Sequence, residues 1–174
     1  VNCEKRKKGD VEPCNTCAAC VAITEGRSLD VMEIDAASHT GVDNVRENII
    51  ATSRVASLER KYKVFIIDEV HMLSTAAFNA LLKTLEEPSS NVLFILATTD
   101  SDRVPDTIIS RCQRFDFRRV NEEDITKRLC TIAKAEGISI EEGIVATIIR
   151  SAQGSIRDAE SMFGQLVGLG KKKI

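Results

Sequence analysis

Five residues, VFIID from Val64 to Asp68, followed at once by Glu69, decide the fold. An unbroken apolar run that ends in an acid reads as a strand covered on both faces, the habit of parallel sheets. Downstream, Phe78, Leu81, Leu82 and Leu85 recur at i, i+3, i+4 and i+7, which predicts an amphipathic helix stopped by Pro88. NVLFILATT, Asn91 to Thr99, reads as a second fully buried strand. Upstream, VMEID (Val31 to Asp35) reads as a short strand, followed by the loop AASHTG and a helix with Val42, Val45 and Ile49 on one face. A short helix, PDTIIS, and a last short strand, RFDF (Arg114 to Phe117), complete the pattern. Strands that alternate with helices of this length predict βαβ units and a parallel sheet, hence the α/β class.

From about residue 119 the pattern changes. Three amphipathic helices follow without a strand between them, carrying Ile125, Leu129 and Ile132, then Ile144, Ile148 and Ala152, then Ile156, Ala159, Phe163 and Leu166. Gly137 and Gly154 punctuate them. The expected organisation is an α/β core over 1–118 and a small three-helix domain over 119–174.

A chain of 174 residues suffices for one domain with a small appendage. Its 43% hydrophobic and 29% charged content are those of a soluble globular protein. No apolar run approaches the roughly 20 residues of a membrane span, and no signal-peptide core opens the chain, so no membrane partner and a cytoplasmic location are expected. With 24 basic and 26 acidic residues the net charge is −2, which argues against bulk electrostatic attraction to nucleic acid and leaves a local basic stripe open.

Two adjacent acids at the carboxyl end of a buried parallel strand stand where open α/β folds bind ligands. There one carboxylate can hold Mg²⁺ while the other orients or deprotonates a water attacking phosphorus. A solvated acidic turn would read the same way in isolation. The second strand ends in Thr98 and Thr99, short hydroxyls suited to a γ-phosphate or its attacking water. Arg111 follows in TIISRC, and Arg157 stands in the first turn of the last helix, where a cation opposes the helix dipole and calls for an anionic partner such as Asp158 or a ligand.

Four of the six cysteines lie in the first 20 residues: Cys3, Cys14, Cys17 and Cys20, spaced C-x₁₀-C-x₂-C-x₂-C. Without a secretion signal such clustering reads as a metal module over 3–20 rather than a disulfide framework. Four thiolates suit one tetrahedral Zn²⁺ in a closed structural site. An iron–sulfur cluster is the rival, since C-x₂-C-x₂-C also opens ferredoxin runs, although no Cys-Pro follows. Cys112 and Cys130 read as small core residues. His71, beside the acid pair, reads as structural, and His39 as a loop residue.

The segments IIDEVHMLSTAAFNALLKTLEEP (Ile66 to Pro88), LATTD (Leu96 to Asp100), SRC (Ser110 to Cys112) and GSIRDA (Gly154 to Ala159) together resemble the bacterial gamma/tau clamp-loader subunits of DNA polymerase III, a branch of the AAA+ ATPases. The likeness runs over essentially the whole chain. It implies a P-loop-type AAA+ sheet with a zinc module and a helical lid. It implies Asp68 and Glu69 as the Walker B pair toward Mg²⁺ and water, Thr99 with Thr98 beside it as sensor 1, Arg111 as an arginine finger acting on a neighbour's ATP, and Arg157 as sensor 2. The cysteine spacing resembles the same family's zinc module. Further implications are other clamp-loader subunits, the sliding clamp and primed DNA as partners, with AASHTGVDNVR (Ala36 to Arg46) as a candidate DNA-contacting stretch. One departure matters. The family's Walker A loop with its GK[ST] is absent from these 174 residues, and it is expected upstream of the cysteine module in a longer parent. The chain alone is then expected to bind ATP poorly. Two rival readings are a non-hydrolysing delta-prime type subunit and a branch-migration helicase ATPase.

Overall fold

A computed structural model describes the chain except residues 8, 39–40, 42, 44, 56, 58–60 and 169–174. His39, Val42, part of the 36–46 stretch and the whole of the closing GKKKI, residues 170–174, therefore lie outside the described residues. The chain divides into two compact units, Val1–Arg114 and Phe115–Ile174.

In the first unit the sheet is parallel, with β1 (Val31–Asp35), β2 (Lys63–Asp68) and β3 (Val92–Leu96) side by side in that order. β1 pairs with β2 from Val31 opposite Val64 to Asp35 opposite Asp68, and β2 pairs with β3 from Lys63 opposite Val92 to Ile67 opposite Leu96. The central strand matches the reading of its sequence: Val64, Phe65 and Ile67 are buried. Phe65 stacks on Phe94, with ring centroids 5.3 Å apart. Burial of a side chain this large contributes roughly 1.5–3 kcal/mol. Against the sheet pack Val45 and Ile49 from a π-type helical segment (Val45–Ala51), and Phe78 and Leu81 from the helix Thr75–Glu86.

Helices are numbered in chain order: α1 (Ala18–Thr24), α2 (Thr75–Glu86), α3 (Asp106–Ile109), α4 (Glu122–Glu136), α5 (Glu142–Ala152) and α6 (Ile156–Val167). α2 starts where Ser74 accepts a hydrogen bond from the Ala77 amide at 3.2 Å, satisfying a donor that a helix N-terminus leaves free. The buried Lys63 sends its Nζ to the carbonyls of Thr52 and Val55, at 3.1 and 3.2 Å, just past the π-type segment. A cation there answers the carbonyls that a helix end leaves without partners.

Three expectations are corrected. β3 is not buried on both faces: Val92, Phe94 and Leu96 turn toward the core, while Leu93 and Ile95 are 38% and 45% exposed. An alternating strand of this kind has a cover on one side only, and β3 is the edge of the three-stranded sheet. Arg114–Phe117 forms no strand, and Phe115 and Phe117 are exposed. β propensity alone makes no strand without a neighbour to accept its hydrogen bonds. Cys112 and Cys130 are exposed rather than core residues. Cys130 follows the buried Leu129 on α4 and so points away from the packed face.

The second unit is α4, α5 and α6 around Ile125, Leu129, Ala133, Val145, Ile148, Ala152, Ala159 and Phe163. Asn121 caps α4 through the Asp124 amide at 2.8 Å, and Gly137 ends it in the left-handed conformation, φ 67°. Among the described glycines, Gly154 is the one with no room for a side chain. Its φ is +85°, and a Cβ would stand 2.8 Å from Cβ of Arg119 and 3.2 Å from the Val120 carbonyl oxygen. Its own carbonyl accepts from the Val120 amide at 3.0 Å, tying the start of the unit to the α5–α6 turn.

Candidate functional site

The carboxyl edge of the sheet gathers most of the polar residues singled out above. The Ala36 amide donates to the Asp68 carbonyl, the Ala97 amide to Ile67, and the Val70 amide to Ala97, each at 2.9 Å. These bonds carry the strand ladder one step past its end, so the three strand termini stay in register. Asp68 is exposed, and its Oδ1 accepts the Glu69 amide at 2.9 Å.

Glu69 adopts the left-handed conformation, φ 47° and ψ 44°, which costs a residue with a side chain about 1–3 kcal/mol. A 3₁₀ turn, Val70–Met72, follows directly. The reversal brings the Glu69 carboxylate to the end of β3, where Oε2 accepts from Thr99 Oγ1 at 2.9 Å and from the Thr99 amide at 3.3 Å. His71 Nδ1 lies 3.2 Å from the same oxygen and 2.9 Å from Thr98 Oγ1. Thr98 Oγ1 in turn donates to the Asp100 carbonyl and accepts from its amide, both at 3.1 Å. At the end of β1, Asp35 accepts from the Ala37 amide and from Ser38 Oγ, each at 2.8 Å, and so closes its own turn.

Asp68, Glu69, Thr98 and Thr99 are thus neighbours at one sheet edge. Arg111 follows α3, and its guanidinium donates to Glu86 Oε1 at the end of α2 and to the Thr107 carbonyl, both at 2.6 Å. Arg157 is exposed in the first turn of α6, in the second unit. His71, whose sequence context reads as structural, has its ring against Thr98 and Glu69 at this edge. The only signal in the sequence was the Glu-x-His spacing, which acquires meaning from the left-handed turn at Glu69. Glu86 was missed entirely, since nothing in LEEP distinguishes it from a solvated acid.

The four N-terminal cysteines form a second site. Their sulfurs lie within 4.8 Å of one another, and Sγ of Cys14 and Cys20 are 4.0 Å apart. Zn–S bonds of about 2.3 Å place four tetrahedral sulfurs about 3.8 Å from each other, so the set fits that ion with little contraction. The backbone is arranged for thiolates. The Cys14 amide donates to Cys3 Sγ at 3.4 Å, the Cys17 amide to Cys14 Sγ at 3.3 Å, and the Cys20 amide to Cys17 Sγ at 3.5 Å.

Hydrogen bonds from Thr16, backbone and hydroxyl, bring the Cys14 thiol down to about 6, and the Cys20 amide lowers Cys17. Burial pushes Cys20 up to about 12. A bound cation reverses that last effect, because it favours the thiolate over the thiol. Asn15, at φ 56°, makes the tight turn between Cys14 and Cys17, a conformation that asparagine tolerates. Asn2 anchors the module by pairing with both the carbonyl and the amide of Tyr62, at 2.8 and 2.9 Å.

Over residues 1–121 the chain matches the family model described as DNA polymerase III, delta subunit. Over 124–172 it matches that of the DNA polymerase III clamp loader subunit, ATPase lid domain. It is 53% identical over 167 residues to DNA polymerase III subunit tau of Bacillus subtilis (strain 168), covering 96% of this chain and 29% of that protein. It is 46% identical over 170 residues to DNA polymerase III subunit gamma of Buchnera aphidicola subsp. Acyrthosiphon pisum (strain APS), covering 98% of this chain and 46% of that one. The chain therefore spans less than half the length of either curated relative.

Among solved structures, a DNA polymerase III gamma subunit-related protein of Thermotoga maritima superposes with a TM-score of 0.62 at 23% identity, over 85% of this chain and 50% of that one. The RuvB Holliday junction branch migration motor of Thermotoga maritima gives 0.66 at 18% identity, over 90% and 52%. Both likenesses concern the fold.

Proposed function

The chain belongs to the DNA polymerase III clamp-loader family, and on that premise we propose that it serves an ATPase subunit that opens the sliding clamp and loads it on primed DNA. The observation that carries this reading is the Glu69 carboxylate held by Thr99 beside an exposed Asp68 at the carboxyl edge of a parallel sheet. Asp68 holds Mg²⁺, which when bound neutralises charge on the β- and γ-phosphate oxygens. Glu69 orients the attacking water and takes its proton. Thr99, with Thr98 beside it, ties the position of Glu69 to the end of β3 and so senses the γ-phosphate. Arg111 acts on ATP held by a neighbouring subunit, and Arg157 couples nucleotide to the helical unit. In this reading residues 1–118 belong to the nucleotide-binding core and 119–174 to the lid.

Cys3, Cys14, Cys17 and Cys20 hold a structural Zn²⁺, a role supported by four converging sulfurs and three amide N–H···S contacts. No helix among the described residues is long and apolar enough to cross a membrane, and the site of action in this reading is the bacterial cytoplasm, at the nucleoid. Partners are the other subunits of the loader, the clamp and primed DNA, with Ala36–Arg46 as the DNA-contacting stretch.

A second reading, a delta-type subunit that does not hydrolyse ATP, draws on the family match over 1–121. Its fold neighbour RuvB suggests a third, a branch-migration motor, which the cysteine module disfavours. ATP hydrolysis by the complex assembled from the natural gene product separates them. The ATPase reading expects hydrolysis stimulated by clamp and primed DNA, and lost on Asp68→Ala. Hydrolysis that is indifferent to Asp68→Ala would shift the assignment to the delta type.

A further inference from the structure

We propose that His71 is a positioning residue for Glu69, fixing which oxygen of the carboxylate faces the attacking water; the role rests on the ATPase reading above. His71 stands two residues past the left-handed Glu69, inside the 3₁₀ turn that Glu69 initiates. The turn folds the imidazole back over the carboxylate. The ring is 9% exposed at its side chain, against 33% for Glu69, so water competes little for the contact.

The hydrogen-bond inventory around the ring selects its tautomer. Thr98 Oγ1 has one proton and three neighbours: the Asp100 amide, the Asp100 carbonyl and His71 Nδ1. The amide can only donate and the carbonyl can only accept, so the hydroxyl proton goes to the carbonyl. Nδ1 must then bring its own hydrogen. The alternative, a bare Nδ1 accepting from Thr98, would direct a lone pair at a carboxylate oxygen 3.2 Å away. Nδ1–H bonds Thr98 Oγ1 at 2.9 Å and turns its positive end toward Glu69 Oε2, 3.2 Å away.

Oε2 therefore accepts from the Thr99 amide and the Thr99 hydroxyl, with His71 Nδ1–H 3.2 Å away as an electrostatic contact on the same oxygen. Among the described residues none is directed at Oε1, so Oε1 is the oxygen presented to water. The terminal torsion of a glutamate is broad, and a carboxylate held from one strand alone can swing. The two Thr99 bonds come from the end of β3, while His71 holds the same oxygen from the β2 side and is itself anchored to Thr98. The pair works as a clamp with two jaws. Loss of the His71 jaw leaves nucleotide contacts intact and spoils only the angle of the base, so it moves kcat and spares KM.

The isosteres give the test. An asparagine amide falls near the position of Nδ1, and a glutamine amide near that of Nε2. In the assembled loader, His71→Ala and His71→Gln should lower kcat about tenfold with KM within about twofold, while His71→Asn recovers to within about threefold of wild type. Equal rates for all three variants, or losses confined to KM, would overturn the proposal.

A second readout needs no hydrolysis. In long-range ¹H–¹⁵N spectra of this chain at pH 8.5, His71 should carry its proton on Nδ1, and Thr98→Val should erode that preference. A proton on Nε2 would sink the idea. Glu69→Gln, run beside these variants, keeps the two claims apart. If it hydrolyses ATP at the wild-type rate, the ATPase reading fails, and the tautomer still decides the His71 contact.

Discussion

Cys14 Sγ is held by groups two and three residues away, Thr16 and Cys17; Glu69 Oε2 has His71 beside it two residues away and is held by Thr99, thirty residues away past the end of a different strand. The cysteine module is built by a local turn and would be ordered by an ion. The carboxyl-edge site is built by sheet topology, and the strands order it whether or not a ligand is present. Damage at the first should spread through its own segment, and damage at the second should stay chemical. The two sites share one packing unit, so their independence is a claim that experiment can break.

The largest expected effect lies at Arg111, outside both sites and paired with Glu86. Arg111→Ala should slow hydrolysis in the assembled loader by about 10³ to 10⁵, the range for an arginine supplied in trans. Mixing the variant with subunits mutated at Asp68 tests the geometry. A finger acting on the neighbour's ATP leaves activity wherever a wild-type finger faces a wild-type acid pair, and a finger acting on its own chain's ATP would not follow that rule.

Next comes Glu69→Gln, with hydrolysis down about 10² to 10⁴, as for loss of a general base. Bound zinc by atomic absorption should be unchanged and the thermal midpoint should stay put or rise, since the amide keeps the shape. A fall in zinc content would show that the two sites are coupled after all.

Cys17→Ser, or metal chelation, should produce the opposite pattern. Amide exchange over Cys3–Thr24 should accelerate about 100-fold, while β2 and β3 keep their protection. Spread of the fast exchange into β2 would mean that the Asn2–Tyr62 pairing transmits order from module to sheet.

The smallest effect is chemical reactivity in the metal-free chain. With its pKa lowered to about 6 from 9.0, Cys14 is mostly thiolate at pH 7, whereas an unshifted thiol is about 1% thiolate there. The lower basicity weakens each thiolate as a nucleophile, so the net advantage over an unshifted thiol on alkylation is about fourfold. The sign follows the lowered pKa: the Cys14 rate falls as pH drops through about 6.

The same contrast explains what the sequence could tell. C-x₁₀-C-x₂-C-x₂-C announced its site because the geometry is set by residues that are neighbours in the chain. The central strand was equally legible, since VFII, Val64 to Ile67, is apolar at every position and needs no partner to say so. β3 was misread for the same reason: NVLFIL is as apolar as β2, and only its place at the edge of the sheet exposes Leu93 and Ile95. RFDF has strand composition, and among the described residues no strand lies beside it. His71 and Glu86 were opaque because their meaning comes from what a turn or a folded helix brings opposite them, Glu69 in one case and Arg111 in the other.

β3 also has a consequence for how this polypeptide behaves in a tube. Among the described residues its outer side has no strand beside it, and two large aliphatic side chains flank that row of amides and carbonyls. Such a border invites another chain to add on, and the invitation grows with concentration. Association at high protein concentration is therefore expected to start at Leu93 and Ile95. A lysine at position 93 should keep stocks clear for longer and leave the interior stack of Phe65 on Phe94 untouched.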